Sequence, residues 1–281
     1  MRVNSEPTSH ADQRGYLREP MRLFHLNNCE SEAIPNHYHE FHKIILFLSG
    51  TLSYRVEGRS YALSPEDLLL VPAHTIHQPI IGTAPYERII LWMQPEPLEE
   101  RGLDACFLRC REENRFLLHR NQYDKAHILP LLQELERCRN NADFGADILA
   151  QTHYFQLMVY LNRSLQQKSG SEVPENPARS DPKIDEILTY INADLTQDLS
   201  INALAAQFYL SRSWLMHRFK SITGCPIHQY VLQKRLILAT QLLRRGESVG
   251  DAARKSGFSD YSSFLRSFRK TYGISPREYQ S

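Results

Sequence analysis

The sequence is poor in the patterns that define disulfide-rich, zinc-binding and membrane proteins. Its 281 residues include only five cysteines, scattered along the chain without a C-x-x-C pair. This usage argues against a disulfide framework or a zinc ribbon and indicates a reducing compartment. No uninterrupted apolar run approaches the roughly 20 residues of a membrane helix, and the N-terminal segment lacks the apolar core of a signal peptide. We therefore expect a cytoplasmic protein with no membrane partner.

A large net charge is also missing, because the formal charge is only +1. The charges are nevertheless unevenly distributed along the chain. Residues 181–281 contain 14 Lys and Arg against 9 Asp and Glu, a net charge of +5, whereas the remainder contains 19 against 23, a net charge of −4. A basic C-terminal part beside an acidic N-terminal part favours a DNA reader joined to a second domain. A solvated charged surface would explain the same moderate bias.

The N-terminal part alternates apolar and polar residues in short segments separated by turn residues. This pattern predicts antiparallel strands at 21–26, 42–49, 51–56, 60–63, 67–71, 77–81 and 86–93. Several short strands at this spacing favour a small barrel or jelly roll. Two helices follow, at 128–138 and 148–165, and their apolar faces either cover the barrel or pair with a second chain.

The C-terminal part contains a repeat of two helical units. Ala205 matches Ala253 at an offset of 48, and past a turn Phe219 matches Phe268 at an offset of 49. Each unit predicts two helices joined by a short turn, at 201–208 and 212–223 in the first and at 249–256 and 261–272 in the second. A helix at 227–244 connects the units and another at 183–192 precedes them. Two such units indicate helix-turn-helix binding to DNA, in which the second helix enters the major groove.

The second helix of each unit has an apolar face and a polar face. The side chains that we predict to contact DNA are Arg212, Ser213, Met216, His217 and Lys220 in the first unit and Tyr261, Ser262, Leu265, Arg266, Arg269 and Lys270 in the second. Most such contacts go to phosphates, but Arg266 can hold a guanine through two hydrogen bonds. The turns differ, because Tyr209 stands where the second unit has Gly257. If Tyr209 adopts the positive φ that this position favours, the strain is about 1 kcal/mol.

These motifs resemble the AraC family of bacterial transcription regulators. The resemblance covers about 100 residues and requires both units, the connecting helix and their spacing. It is carried by SRSWLMHRFKSITGCPIHQY at 211–230, KRL at 234–236, GFS at 257–259, FRK at 268–270 and GISPREY at 273–279. The family implies two major-groove insertions on one face of the DNA, a cupin-like domain that senses a ligand, and usually activation through contact with RNA polymerase.

Within the predicted barrel, three histidines resemble part of the cupin metal-binding motifs. In cupins, two histidines and a glutamate from the first motif and a histidine from the second hold a divalent ion. His37, His39 and His77 fall on matching positions, but Lys43 or Ile44 stands where the glutamate is expected. A charged ammonium offers no lone pair and repels a cation. We therefore expect neither a metal nor another cofactor, and keep the three histidines as the candidate ligands should a metal bind.

A barrel of this size can hold one small molecule, and its mouth is the expected site. The candidate effector-binding residues are His37, His39, Tyr54, Arg55, His77 and Trp92. A sugar or another polar metabolite would need several such groups. His42 could supply a nitrogen ligand in place of the absent glutamate.

Composition sets the expected domain boundaries. Residues 166–182 are poor in large apolar residues and rich in Pro, Ser and Glu, which predicts a flexible linker. We expect a cupin-like effector-binding and dimerisation domain at 1–165, the linker at 166–182, and a DNA-binding domain with two helix-turn-helix units at 183–281. The fold class is α+β multidomain, with an N-terminal β-barrel and accessory helices and an all-α C-terminal domain.

The sequence therefore predicts a sequence-specific, DNA-binding transcription regulator rather than an enzyme. We expect an activator that responds to a small effector, forms a homodimer and contacts RNA polymerase. Two alternatives stay open: a metal-dependent cupin enzyme fused to a DNA-binding domain, and a ligand-independent regulator whose barrel only dimerises. The enzyme needs a complete ligand set with an open coordination position, so the missing glutamate counts against it.

Overall fold

The computed structural model describes residues 17, 19–28, 34–82, 85–139, 143–166 and 181–280. The chain divides into two compact units, 1–178 and 179–281. The predicted linker at 166–182 lies outside the described residues except at its ends, where Gln166 closes one helix and Pro182 opens another. Cys29 also lies outside them.

The N-terminal unit is built on two antiparallel sheets, which confirms the predicted β domain. The strands are β1 (Met21–Asn28), β2 (His42–Ser49), β3 (Leu52–Val56), β4 (Arg59–Leu63), β5 (Leu68–Val71), β6 (His77–Ile81), β7 (Tyr86–Met93) and β8 (Leu117–Leu118). One sheet has the order β1-β7-β2-β5-β8 and the other the order β4-β3-β6. The seven predicted strands are all present, and β8 is too short to give a periodic signal.

Strand β2 lies inside the larger sheet, between β7 and β5, and its first six residues are buried. Because successive side chains of a strand point to opposite faces, the neighbours His42 and Lys43 are buried in different surroundings. The His42 ring stacks on Phe107 with a centroid separation of 4.0 Å. The ammonium of Lys43 lies 5.6 Å from the centre of the Trp92 ring. The two faces of β2 thus hold two separate polar sites.

In the described part of the N-terminal unit, four helices accompany the sheets: α1 (Glu96–Glu99), α2 (Ala105–Glu112), α3 (Lys125–Arg139) and α4 (Ala146–Gln166). Helix α3 packs on α4 and on β1, and α4 buries Tyr154, Leu157 and Leu161 in the same core as the sheets. The beginning of α4 is different, since Ile148 is 64% exposed and Leu149 is 49% exposed. Much of the predicted apolar surface therefore covers the sheets, and a smaller part faces solvent.

The C-terminal unit is entirely helical. Its helices are α5 (Pro182–Ala193), α6 (Ile201–Gln207), α7 (Arg212–Thr223), α8 (Ile227–Arg244), α9 (Val249–Lys255), α10 (Tyr261–Tyr272) and α11 (Pro276–Gln280). The helices α5, α6, α7, α9 and α10 each begin with a side-chain cap, supplied by Asp181, Ser200, Ser211, Ser248 and Asp260. Helices α7 and α10 both end at a glycine in the left-handed region, Gly224 with φ 81° and Gly273 with φ 79°.

The turns of the two helix-turn-helix units both contain a residue with positive φ, but the surroundings of the two turns differ. Tyr209 has a φ of 55°, so it does adopt the positive φ that this turn position favours, and 96% of the residue is exposed. Gly257 has a φ of 90°, and a Cβ atom there would overlap the carbonyl oxygen of Leu195 and lie 2.9 Å from Nε of Arg235. Arg235 donates from Nε to that carbonyl at 2.9 Å and from Nη2 to the carbonyl of Gln197 at 3.0 Å. The second turn therefore needs glycine for space, whereas the first needs only tolerance of positive φ.

Candidate DNA-binding surface and effector site

The first candidate surface lies on α7. The helix buries Leu215, Phe219 and Ile222, and Ser211 fixes its start by accepting a hydrogen bond from the backbone N–H of Trp214 at 3.2 Å. The five residues predicted to contact DNA are all exposed, namely Arg212, Ser213, Met216, His217 and Lys220. Their spacing places them in one stripe along the helix, opposite the buried face.

Helix α10 presents an equivalent stripe. The counterparts of the five α7 residues lie 49 positions later, at Tyr261, Ser262, Leu265, Arg266 and Arg269, and Lys270 follows. All are exposed except Leu265, which is half-buried and packs against the apolar core of this unit. The α10 stripe carries three cations, whereas the α7 stripe carries Arg212 and Lys220 with Met216 and His217 between them.

Two cations of these stripes, Arg212 and Arg266, make weak contacts within the protein. Nη1 of Arg212 donates to Oδ1 of Asn202 at 3.2 Å. Nη2 of Arg266 lies 4.0 Å from Asp260, and the Arg266 side chain is 78% exposed. An exposed ion pair as long as that of Arg266 contributes little to stability, and the partner of Arg212 is a neutral amide, so both guanidinium groups can leave these partners to bind an anion.

The positive charge of Arg218, at the flank of α7, suggests a contact with DNA, but its side chain pairs with a carboxylate of the same unit. Its Nε donates to Asp181, the carboxylate that caps α5 through the backbone N–H groups of Lys183 and Ile184. Burial alone would raise the pKa of Asp181, but these hydrogen bonds lower it below its usual value. Arg218 therefore ties α7 to α5, the first helix of this unit. No local pattern predicts the pair, because its members lie 37 residues apart.

The second candidate site is a group of three imidazoles in the N-terminal unit. Nitrogen atoms of His37, His39 and His77 all lie within 4.8 Å of one another. The segment before β2 meets the start of β6 through two backbone hydrogen bonds, from N of His37 to O of His77 at 3.0 Å and from N of His77 to O of His37 at 2.8 Å. This pairing brings together histidines that are 40 positions apart in the chain.

The hydrogen bonds of two imidazoles fix their tautomers. Nδ1 of His37 donates to the carbonyl of Pro35 at 2.8 Å, and Nδ1 of His77 donates to the carbonyl of Thr75 at 2.9 Å. Burial lowers the pKa of His37 to about 4, with a smaller effect from the ammonium of Lys43. Burial also lowers the pKa of His77 well below its usual value, assisted by His37 and Lys43. Both rings are therefore neutral at pH 7, and each keeps a lone pair on Nε2.

The structure brings five of the six predicted effector residues together. Besides the three histidines, the Tyr54 ring lies 6.2 Å from that of His77 and the Trp92 ring 6.0 Å from that of His39. Arg55 does not join them, because it follows Tyr54 on β3 and points to the opposite face. Its Nη1 donates to Gln78 at 2.8 Å.

His42 is also absent from this group, so it is not the replacement ligand that we considered. Its Nδ1 accepts a hydrogen bond from the backbone N–H of Ala73 at 3.1 Å, on the other side of β2. The group that does lie beside the imidazoles is Lys43, which sequence reasoning treated only as a missing glutamate. Three imidazoles can together hold a divalent metal ion, and the neutral rings of His37 and His77 can accept hydrogen bonds from a ligand. The ammonium of Lys43 opposes binding of a metal ion.

Within the part of the chain that the structure describes, no helix is both long and apolar enough to cross a membrane.

Comparison with known proteins finds relatives for both units. A model described as AraC-like ligand binding domain matches residues 23–158, and a model described as helix-turn-helix domain matches residues 204–281. The HTH-type transcriptional activator RhaS of Salmonella schwarzengrund (strain CVM19633) is 28% identical over 257 residues, which cover 88% of this chain and 87% of RhaS.

Solved structures are also similar to parts or most of the chain. The DNA-binding domain of AdpA, a global transcriptional factor in complex with a target DNA, is 31% identical, with a TM-score of 0.34. That match covers 36% of this chain and 91% of the AdpA chain. ToxT from Vibrio cholerae is 14% identical, with a TM-score of 0.35, and its match covers 92% of this chain and 97% of ToxT.

Proposed function

This chain belongs to the AraC family of DNA-binding transcription regulators, and we propose that α7 and α10 are its two reading helices. Each helix enters the major groove with the stripe of exposed side chains described above. A single protomer then reads two adjacent segments of one DNA face. Binding to chromosomal DNA implies that the protein works in the cytoplasm.

The observation that supports this assignment is the equivalence of the two stripes at a constant offset of 49 residues. Both lie on capped helices whose opposite faces are buried, so both are presented rigidly to a partner. Their chemistry differs, because Met216 and His217 in α7 correspond to Leu265 and Arg266 in α10. Since base edges are recognised by the types of side chain that meet them, the two helices read different sequences and the operator half-sites are unlike.

The test begins with DNA selected from a random library by the full-length protein, whose binding is then measured by fluorescence anisotropy. Replacing Arg266 by alanine removes a two-bond contact to a guanine and should cost about 1–3 kcal/mol at the selected site. The preference at one base pair should relax as well. Arg137→Ala is the charge-matched control, because Arg137 is 74% exposed on α3 in the other unit. Equal, small losses on selected and random DNA would mean that Arg266 meets only phosphate.

We further propose that the N-terminal unit binds a small polar effector, a sugar or similar metabolite, at the site formed by His37, His39, Tyr54, His77 and Trp92. The effector regulates by binding one arrangement of the protein more tightly than another, since a ligand shifts an equilibrium only through such a difference. The output is activation through contact with RNA polymerase, which is supported by the activator among its relatives.

A homodimer is the proposed functional state, and the exposed start of α4 is its candidate interface. Ile148 and Leu149 are large apolar side chains in solvent there, although isolated exposed apolar residues are common. Ile148→Asp should shift the full-length protein towards the monomer in sedimentation experiments. An unchanged dimer would place the interface elsewhere.

A further inference from the structure

We propose that Met216 is a specificity-determining residue of α7, and that it reads the C5-methyl group of a thymine in the major groove. This inference rests on the proposed function, in which α7 and α10 are the two reading helices, and it names a base that one half of the operator must contain. A thymine then lies opposite the middle of α7, whereas the guanine read by Arg266 lies opposite α10.

The first support is the position of Met216 within the α7 stripe. Met216 is 50% exposed, and it is the one apolar member of the five stripe residues. Arg212 and Lys220 lie four positions before and after it, so the three side chains emerge on the same side of the helix. The other side is fixed by the buried Leu215 and Phe219. A helix that enters the major groove with this stripe places Met216 against base edges, between two cations.

The second support is the chemistry of a methionine side chain beside base edges. In the major groove, the edges of guanine, cytosine and adenine present only hydrogen-bond donors and acceptors, whereas thymine presents one acceptor and a methyl group. The thioether of methionine has no donor and is only a weak acceptor, so it leaves polar edges unsatisfied at a cost in free energy. Contact between the flexible methionine and the thymine methyl group buries two apolar surfaces. Met216 therefore favours thymine over the other three bases.

The third support is the difference between Met216 and its counterpart on α10. That counterpart, Leu265, is half-buried and packs against the apolar core that includes Phe264 and Phe268. Part of the Leu265 side chain therefore stabilises its own unit, and the next residue, Arg266, has a side chain that is 78% exposed. At equivalent positions, α7 thus presents an exposed apolar group and α10 presents a cation.

The experiment compares thymine with uracil, which lacks only the C5-methyl group. The operator selected from a random library is synthesised with single deoxyuridines in place of thymines, and binding of the full-length protein is measured by fluorescence anisotropy. The α7 half-site is defined as the base pairs at which His217→Ala relaxes the preference, together with the base pair on either side. One uracil there should weaken binding of the wild type about fourfold, which corresponds to the roughly 0.8 kcal/mol of one buried methyl group.

Substitutions at position 216 test whether this discrimination comes from the methionine. Met216→Ala should bind the thymine and uracil operators equally, whereas Met216→Leu keeps an apolar side chain and should keep the discrimination. Leu108→Ala is the control matched for exposure, because Leu108 is also 50% exposed but lies on α2 of the other unit. It should retain the fourfold ratio.

Three results overturn the inference. They are the absence of thymine from the α7 half-site, equal binding of thymine and uracil by the wild type throughout that half-site, and unchanged discrimination in Met216→Ala. Each of them leaves the proposed function standing, because His217→Ala still relaxes the preference at base pairs of its own. If His217→Ala relaxes the preference at no base pair, the proposed reading by α7 fails, and the inference about Met216 fails with it.

Discussion

Gly257→Ala should be among the most damaging single substitutions in the C-terminal unit. The added Cβ overlaps the carbonyl oxygen of Leu195, and the positive φ adds strain of about 1 kcal/mol. Relieving the overlap requires a backbone shift, for which overpacking costs about 1–3 kcal/mol. The same shift weakens the hydrogen bond from Arg235 to Leu195, a charged bond of about 1.5–3 kcal/mol. Because these effects share one movement, we expect a total of roughly 3–5 kcal/mol.

Gly273→Ala is the matched control, because Gly273 has nearly the same φ but nothing lies within 4 Å of the added Cβ. It should cost only about 1 kcal/mol. Tyr209→Gly should change stability by less than about 1 kcal/mol, since relief of strain and the greater entropy of unfolded glycine oppose each other.

The two tryptophans make the assay selective. Trp92 lies in the N-terminal unit and Trp214 in the C-terminal unit, so a Trp92→Phe background reports unfolding of the C-terminal unit by fluorescence. Urea titrations of the three variants in this background give the free energies of unfolding. If Gly257→Ala costs no more than Gly273→Ala, the close approach of the second turn to Leu195 is not present and the spatial argument fails.

Two further predictions concern ionisable groups. The imidazole of His25 is partly buried, which lowers its pKa, but its hydrogen bonds to Glu136 at 2.7 Å and Glu87 at 2.9 Å outweigh burial and raise that pKa above 6.5. The stabilisation that protonated His25 gives the fold is therefore complete below about pH 6.5 and is lost as the pH rises through the raised pKa. The difference in Tm between the wild type and His25→Gln should therefore be larger at pH 6 than at pH 9. Asp181→Ala removes the cap of α5 and the partner of Arg218, and should cost about 1–2 kcal/mol in urea at pH 7. Because the pKa of Asp181 is lowered, the destabilisation by Asp181→Ala should shrink as the pH falls below 3.8. Arg218→Ala should cause a smaller destabilisation at pH 7, since it removes the ion pair but keeps the cap.

Periodicity predicted most of the fold because it depends on local burial. Helices α7, α8 and α10 and strands β2, β6 and β7 begin and end where their sequence patterns place them. Capping residues such as Ser211 and Asp181 are local features too, because a capping side chain and its helix are neighbours in sequence. Likewise, the two histidines before β2 and the one at β6 match a spaced pattern, and the pairing of His37 with His77 brings them together.

The features that escaped prediction depend on contacts between distant segments. Alternation along β2 could not tell which face Lys43 and His42 occupy, since both faces of this strand are covered. The need for glycine at position 257 comes from a carbonyl 62 residues earlier, at Leu195. The pairing of Arg218 with Asp181 likewise spans two helices. Arg55 is a different case, because strand alternation alone places it on the face opposite its neighbour Tyr54, so both could not line the same site.

Base-resolved binding measurements test most directly whether α7 and α10 read two different major-groove segments. His217 and Arg266 occupy equivalent positions on the two helices, 49 residues apart. Affinities of His217→Ala and Arg266→Ala should be measured on the selected site and on all its single-base variants. We expect each substitution to relax the preference at its own base pairs, and the two sets of base pairs to lie about one helical turn of DNA apart. Relaxation at the same base pairs, or a uniform loss in both variants, would contradict it.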